Sequence, residues 1–113
     1  MEDDGATLAK DHSHAAQMRR SLLWKITEQK VLGVYFMLRD RLTELDRRNV
    51  LGFTDANEFA LAFEQLVLAM LEETRPISRY ERAVIETLYR HFSGAQMQVG
   101  DAEMAKLESL VSD

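Results

Sequence analysis

The chain has 113 residues, 46% hydrophobic and 29% charged, with a net charge of -5 and no cysteine. A chain of this length and composition is enough for one folded domain with a real core. The missing cysteine excludes disulfide frameworks, thiol catalysis and cysteine-ligated zinc or iron–sulfur sites. Charge is unevenly spread. Residues 19 to 48 hold eight Lys/Arg against four Asp/Glu, whereas residues 49 to 113 hold five against eleven. Such two-sidedness bears on steering and association, not on fold.

The opening MEDDGATLAKDHSHAAQ has neither the positive start nor the apolar centre of a secretion signal, and no apolar run approaches the ~20 residues that cross a bilayer. The expectation is a soluble, cytoplasmic protein that does not touch membrane. Residues 1–12 read as a flexible acidic tail, and 13–113 as a single α-helical domain.

From Ser13 to Arg48 the pattern predicts one long helix broken by nothing except Gly33. Trp24, Val31, Leu38 and Leu45 recur every seven positions beside Tyr35 and Leu42, which makes one apolar stripe. Asn49-Val50-Leu51-Gly52-Phe53 reads as a turn, since Asn and Gly tolerate the left-handed conformation that ends helices. Thr54 or Asp55 then caps the next helix, with Asp55-x-x-Glu58 as a capping box. That helix runs to about Thr74, where Arg75-Pro76 stops it. Ser78-x-x-Glu81 opens another, with Tyr80, Val84, Leu88 and Phe92 at steps of four, closed by Ser93-Gly94. Asp101 caps a short last helix with Met104, Leu107, Leu110 and Val111 on one face. The expected fold class is therefore all-α: a small bundle of about four helices, mostly antiparallel neighbours, with a long first helix.

Two helices carry more apolar surface than one core face needs. On EFALAFEQLVLAMLEE, residues 58–73, Phe59, Phe63, Leu66, Val67, Met70 and Leu71 fill an arc of about 140°. Leu61 and Leu68 fall nearly opposite, one heptad apart, with Ala62 and Ala69 between. Either neighbouring helices of the same chain cover them or a second chain does. The first helix, on the order of 50 Å long at 1.5 Å per residue, must overhang the second, of about 30 Å. Its outer half would then expose Leu22, Leu23, Trp24 and Ile26 unless a partner or a fold-back covers them. Leu32 and Phe36 form a further apolar pair, rimmed by Lys25 and Arg39.

Catalytic and metal chemistry find no motif. There is no Glu-x-x-His for a di-iron bundle site, and His12-Ser13-His14 lacks further ligands. DRRNVLGFTDANE fails as a calcium loop, because Arg47, Asn49 and Leu51 would occupy the first three ligand positions. No Gly-x-Ser-x-Gly and no glycine-rich phosphate loop occurs. The last helix would make a poor DNA reader, carrying Asp101, Glu103, Glu108 and Asp113 against Lys106 alone. Arg79, Arg82, Glu86 and Arg90 form either a solvated face laced by i,i+4 pairs or an anion-binding face.

The leading expectation is a non-catalytic protein–protein interaction module of adaptor, chaperone, inhibitor or regulatory type, without cofactor or metal. It would be a homodimer recognising a protein partner through helix faces. Trp24, Leu32, Phe36, Leu61 and Leu68 would be the apolar anchors, and Arg39, Arg79, Arg82 and Arg90 the orienting charges. The runner-up is a nucleic-acid accessory protein using the basic face of helix one, followed by an enzyme or small-ligand sensor.

Overall fold

Helix α1 (Glu2–Leu38) spans 37 residues, about 55 Å of helix, and the rest of the chain packs beside only one end of it. The computed structural model describes residues 2–93 and 95–112, with side chains from His14 onward. Residues 2–12, read from the sequence as a tail before a helix starting at Ser13, form the first turns of α1; the side chains of His12 and Ser13 lie outside the described ones. Four more helices follow: α2 (Glu44–Asp55), α3 (Phe59–Glu73), α4 (Arg79–His91) and α5 (Asp101–Glu108). The class is all-α, as the sequence implies. The described residues extend over 66 × 26 × 22 Å.

The expected helix over 13–48 is two helices. α1 ends at Leu38, a single 3-10 turn Arg39–Arg41 tightens the chain, and Leu42 is extended (φ -99°, ψ 146°). Thr43 then caps α2, its hydroxyl accepting from the Asp46 amide at 3.1 Å, so one orphan donor of the new helix is satisfied. The Asn49–Phe53 segment, expected as a turn, lies inside α2. Gly52 there is exposed, and its missing side chain leaves only open space.

The true turn is 56–58, where Asn57 takes the left-handed conformation (φ 61°) and the Glu58 amide donates to the Phe53 carbonyl at 2.8 Å. Neither Thr54 nor Asp55 caps α3. Thr54 is buried at the end of α2, donating to the Val50 carbonyl at 2.8 Å. Glu58 precedes α3 without a side-chain cap.

The end of α3 and the start of α4 match the sequence pattern; Gly94 of the expected Ser93-Gly94 stop lies outside the described residues, and α5 ends at Glu108, before Leu110 and Val111. α3 stops at Thr74, in the left-handed conformation (φ 50°), just before Arg75-Pro76. Ser78 and Glu81 form a reciprocal capping box at the start of α4. Gly100, one residue earlier than expected, is the N-cap of α5, and its amide donates to Glu103 at 2.8 Å.

The core is one cluster. Val31, Val34, Tyr35 and Leu38 of α1 meet Phe63, Leu66, Val67 and Met70 of α3, Ile85 and Leu88 of α4, and Met104 and Leu107 of α5. Phe63 lies at the centre, stacked on Tyr89 (centroids 6.3 Å) and tilted against Phe92 (5.6 Å). Tyr80, read as part of the α4 stripe, is exposed, and the buried residues of that helix are Glu81, Ile85 and Leu88. Beyond α5, the Ile77 amide donates to the Leu110 carbonyl and the Ser112 amide to the Ile77 carbonyl, at 3.0 and 3.1 Å. These bonds tie the end of the chain to the α3–α4 connection.

Candidate functional site

The outer part of α1 is the candidate site. From His14 to Ile26 every side chain is exposed except the half-buried Ala16, and Thr27 is the first to be buried. The Thr27 hydroxyl donates to the Leu23 carbonyl at 2.9 Å. The same oxygen lies 2.8 Å from His91 Nε2, within hydrogen-bond distance. This contact between α1 and the last turn of α4 marks where α1 leaves the body.

Outboard of it stand Met18, Leu22, Leu23, Trp24 and Ile26, between 48% and 58% exposed. Leu23 and Trp24 continue the stripe that Thr27, Val31, Val34, Tyr35 and Leu38 bury further along, all within about 120° on a helical wheel. The core face of α1 therefore runs on past the body. Met18, Leu22 and Ile26 lie on the opposite side. The overhang expected from helix lengths is present, and α1 does not fold back.

Phe36 is 61% exposed, edge-on to buried Tyr35 at 5.2 Å, and Leu32 is half-buried. Beside them runs an almost wholly apolar cleft of about 320 Å³ between α1 and α4, lined by Gln29, Lys30, Gly33, Val34, Val84, Thr87 and Leu88. A shallower apolar hollow formed by Leu22, Lys25, Ile26, Gln29 and Lys30 continues it outward along α1. Sequence periodicity pointed to neither hollow, because each depends on where α4 docks or on side-chain relief.

Leu61 and Leu68 remain 43% and 40% exposed on the wall of an open groove of about 610 Å³. Phe53, Gln65 and the 95–98 segment complete that groove. Ala62 and Ala69 are buried within the chain, so the smooth patch between the leucines is already used for internal packing. The carboxylate of Glu64 also lines the groove and is engaged there, accepting from the Gln98 and Val99 amides at 2.5 and 3.1 Å.

The arginines divide into two groups. Arg82 is held by Glu86 at 2.9 Å, by Glu108 at 3.4 Å and by the Met104 carbonyl at 2.9 Å. Arg79 pairs with Glu108, and Arg90 with Glu86 at 3.3 Å. The i,i+4 lacing expected on α4 is present as Arg82–Glu86 and Glu86–Arg90, whereas Arg79 and the largely buried Arg82 reach Glu108, so they stitch α4 to α5. Arg39, in contrast, is exposed at the 3-10 turn, where its carbonyl accepts from Arg47 at 3.1 Å. On α1, Arg19, Arg20, Lys25 and Lys30 are all exposed, but at 100° per residue they point around the helix and form no single strip.

One ion pair holds the 3-10 turn to α4. Arg41 donates to both carboxylate oxygens of Glu81 at 2.6 Å, the bidentate geometry that makes such pairs strong. These donations hold the Glu81 carboxyl below its ordinary range, against the opposing effect of burial, with help from the Ser78 amide. Glu81 in turn raises the Arg41 guanidinium above its usual value. A depressed carboxyl adds stability that is complete above its unfolded-state value, near 4.5, and lost as pH falls toward the folded one. Between pH 5 and pH 3 the wild-type melting temperature should therefore fall more than that of Arg41→Met. Parallel pH profiles for the two proteins would contradict the pair's role.

Among the described residues no helix is long and apolar enough to cross a membrane. No family model matches this chain, and comparison with curated proteins and with solved structures finds no significant match.

Proposed function

We propose that this chain is a non-catalytic protein–protein interaction module, homodimeric, whose principal docking element is the exposed part of α1. One observation carries the reading: Met18, Leu22, Leu23, Trp24 and Ile26 stand about half exposed on nine consecutive residues of one helix. Covering them would contribute on the order of 4–8 kcal/mol per chain, taking roughly 1.5–3 kcal/mol for complete burial of each large side chain. Scattered single apolar residues are normal on a protein surface, whereas five large ones within nine residues, two on the side that continues the core face and three on the opposite side, mark a helix segment used for contact.

Leu23 and Trp24 suit the recognition of a protein partner. Their side continues a core face, and tryptophan is among the residues that most often dominate binding energy. Arg19 and Arg20, one turn away on the same side, favour an acidic rim on that partner. The role is that of an adaptor, chaperone, inhibitor or regulator acting by covering a surface, in the cytoplasm, where a fold without disulfides is at home.

The test is affinity capture from extracts of the native host with the wild-type chain and with a Leu23→Asp, Trp24→Asp variant. Both substitutions lie outside the core, so the variant should melt within a few degrees of wild type. A protein retained by the wild type and lost by the variant supports the reading. Equal capture by both would sink it.

A further inference from the structure

The side of α1 opposite Leu23 and Trp24 has its own order. Leu22, Gln29 and Phe36 are seven residues apart, and together with Met18, Ile26 and Gly33 they occupy an arc of about 80°. All six are exposed. This is the seven-residue repeat of a two-helix seam, with one polar residue at its middle of the kind that fixes register. Resting on the reading of α1 as a docking element, we propose that the occupant of this face is a second copy of the chain. Its α1 lies antiparallel, centred on Gln29, and Ile26 of each copy enters the cleft beside Gly33 of the other.

Gly33 supports the seating of Ile26. Glycine is disfavoured inside a helix, yet a side chain here would meet only open space within the chain itself. Internal packing therefore gives no reason for its absence. What the missing side chain does open is the cleft against Val84, Thr87 and Leu88 of α4. A helix passing outside could sink a branched side chain into it, since small residues permit close approach.

Charge selects the direction. Residues 14–27 carry Arg19, Arg20 and Lys25 and no acid. A parallel pairing would set these two basic segments side by side. The antiparallel pairing about Gln29 sends them to opposite ends, with Leu22 facing Phe36 and Ile26 beside Gly33, and sets each basic segment against residues 31–44 of the second copy, where Asp40 and Glu44 balance Arg39 and Arg41.

The chain's lack of cysteine makes the arrangement directly testable. Leu22→Cys and Phe36→Cys chains are prepared separately, mixed and oxidised, and the disulfides are identified by mass. The antiparallel seam predicts a 22–36 disulfide between unlike chains. Self-crosslinking of either chain should be poor, because like positions would lie about 21 Å apart along the axis, far beyond disulfide reach.

Efficient self-crosslinking of both chains would overturn the direction. A dimer in sedimentation that forms none of these disulfides would overturn the seam while leaving α1 as a docking element. Absence of any dimer would overturn both. In parallel, Gly33→Leu should melt at or above the wild-type temperature and weaken dimerisation at least tenfold; undiminished dimerisation would refute the seating of Ile26.

Discussion

Replacing Leu22 and Ile26 together by aspartate is expected to abolish self-association while leaving the unfolding free energy of the chain within about 0.5 kcal/mol of wild type. Both positions are about half exposed on α1, beyond the last contact with the body at Thr27 and His91. Neither touches the core, so the fold has little to lose. In a dimer the same residues would be covered. Two charges per chain would then sit desolvated in an apolar seam, at a cost of several kcal/mol. A loss of about 4 kcal/mol of association is close to a thousandfold in Kd. Sedimentation at graded concentrations, with urea titration of the same samples, separates the two effects. A variant that dimerises like wild type would remove this face from the account, and one that is broadly destabilised would show that the outer part of α1 is not independent of the body.

The second large effect is internal. Glu64→Ala should cost about 3 kcal/mol, since the Glu64 carboxylate satisfies the amides of Gln98 and Val99, and hydrogen bonds to charged groups contribute roughly 1.5–3 kcal/mol each. Glu64 is only 7% exposed and Val99 2%, so the Val99 amide is left buried without its partner, while the Gln98 amide faces the open groove. Set against the 5–15 kcal/mol typical of whole domains, that is a substantial fraction. Glu64→Gln keeps an acceptor and should lose about half as much. Urea midpoints for the three proteins give the ranking, and hydrogen exchange at residues 98 and 99 locates the effect. Exchange that stays slow in Glu64→Ala would mean that the carboxylate does not hold the α4–α5 connection.

These two sites differ in how far the sequence revealed them. The overhang of α1 was legible because it follows from helix length and from a run of large apolar residues, two properties that survive without coordinates. The Ser78–Glu81 cap and the stop at Thr74 were legible for a similar reason, each being a local signal set by neighbouring residues.

The break at 39–43 was not foreseen, although Thr43-x-x-Asp46 has the form of an N-terminal cap. Leu38 and Leu42 are both buried, as they would be on a continuous helix, so the apolar spacing shows no discontinuity there. Asn49 and Gly52, which looked like breakers, sit exposed inside α2, where their propensity is overridden by the packing of Val50 and Thr54. The role of Glu64 was hidden because its partners are backbone amides 34 and 35 residues away, which no side-chain pattern records. The cleft beside Gly33 was hidden because it exists only once α4 docks on α1.

If the exposed part of α1 docks first onto a copy of the chain, as proposed, self-association must appear in solution, and sedimentation equilibrium of the unaltered chain from sub-micromolar to hundred-micromolar concentration reads it. The predicted result is a reversible rise from the mass of one chain to twice that mass, abolished in the Leu22→Asp, Ile26→Asp variant. A single-chain mass across the whole range would contradict it.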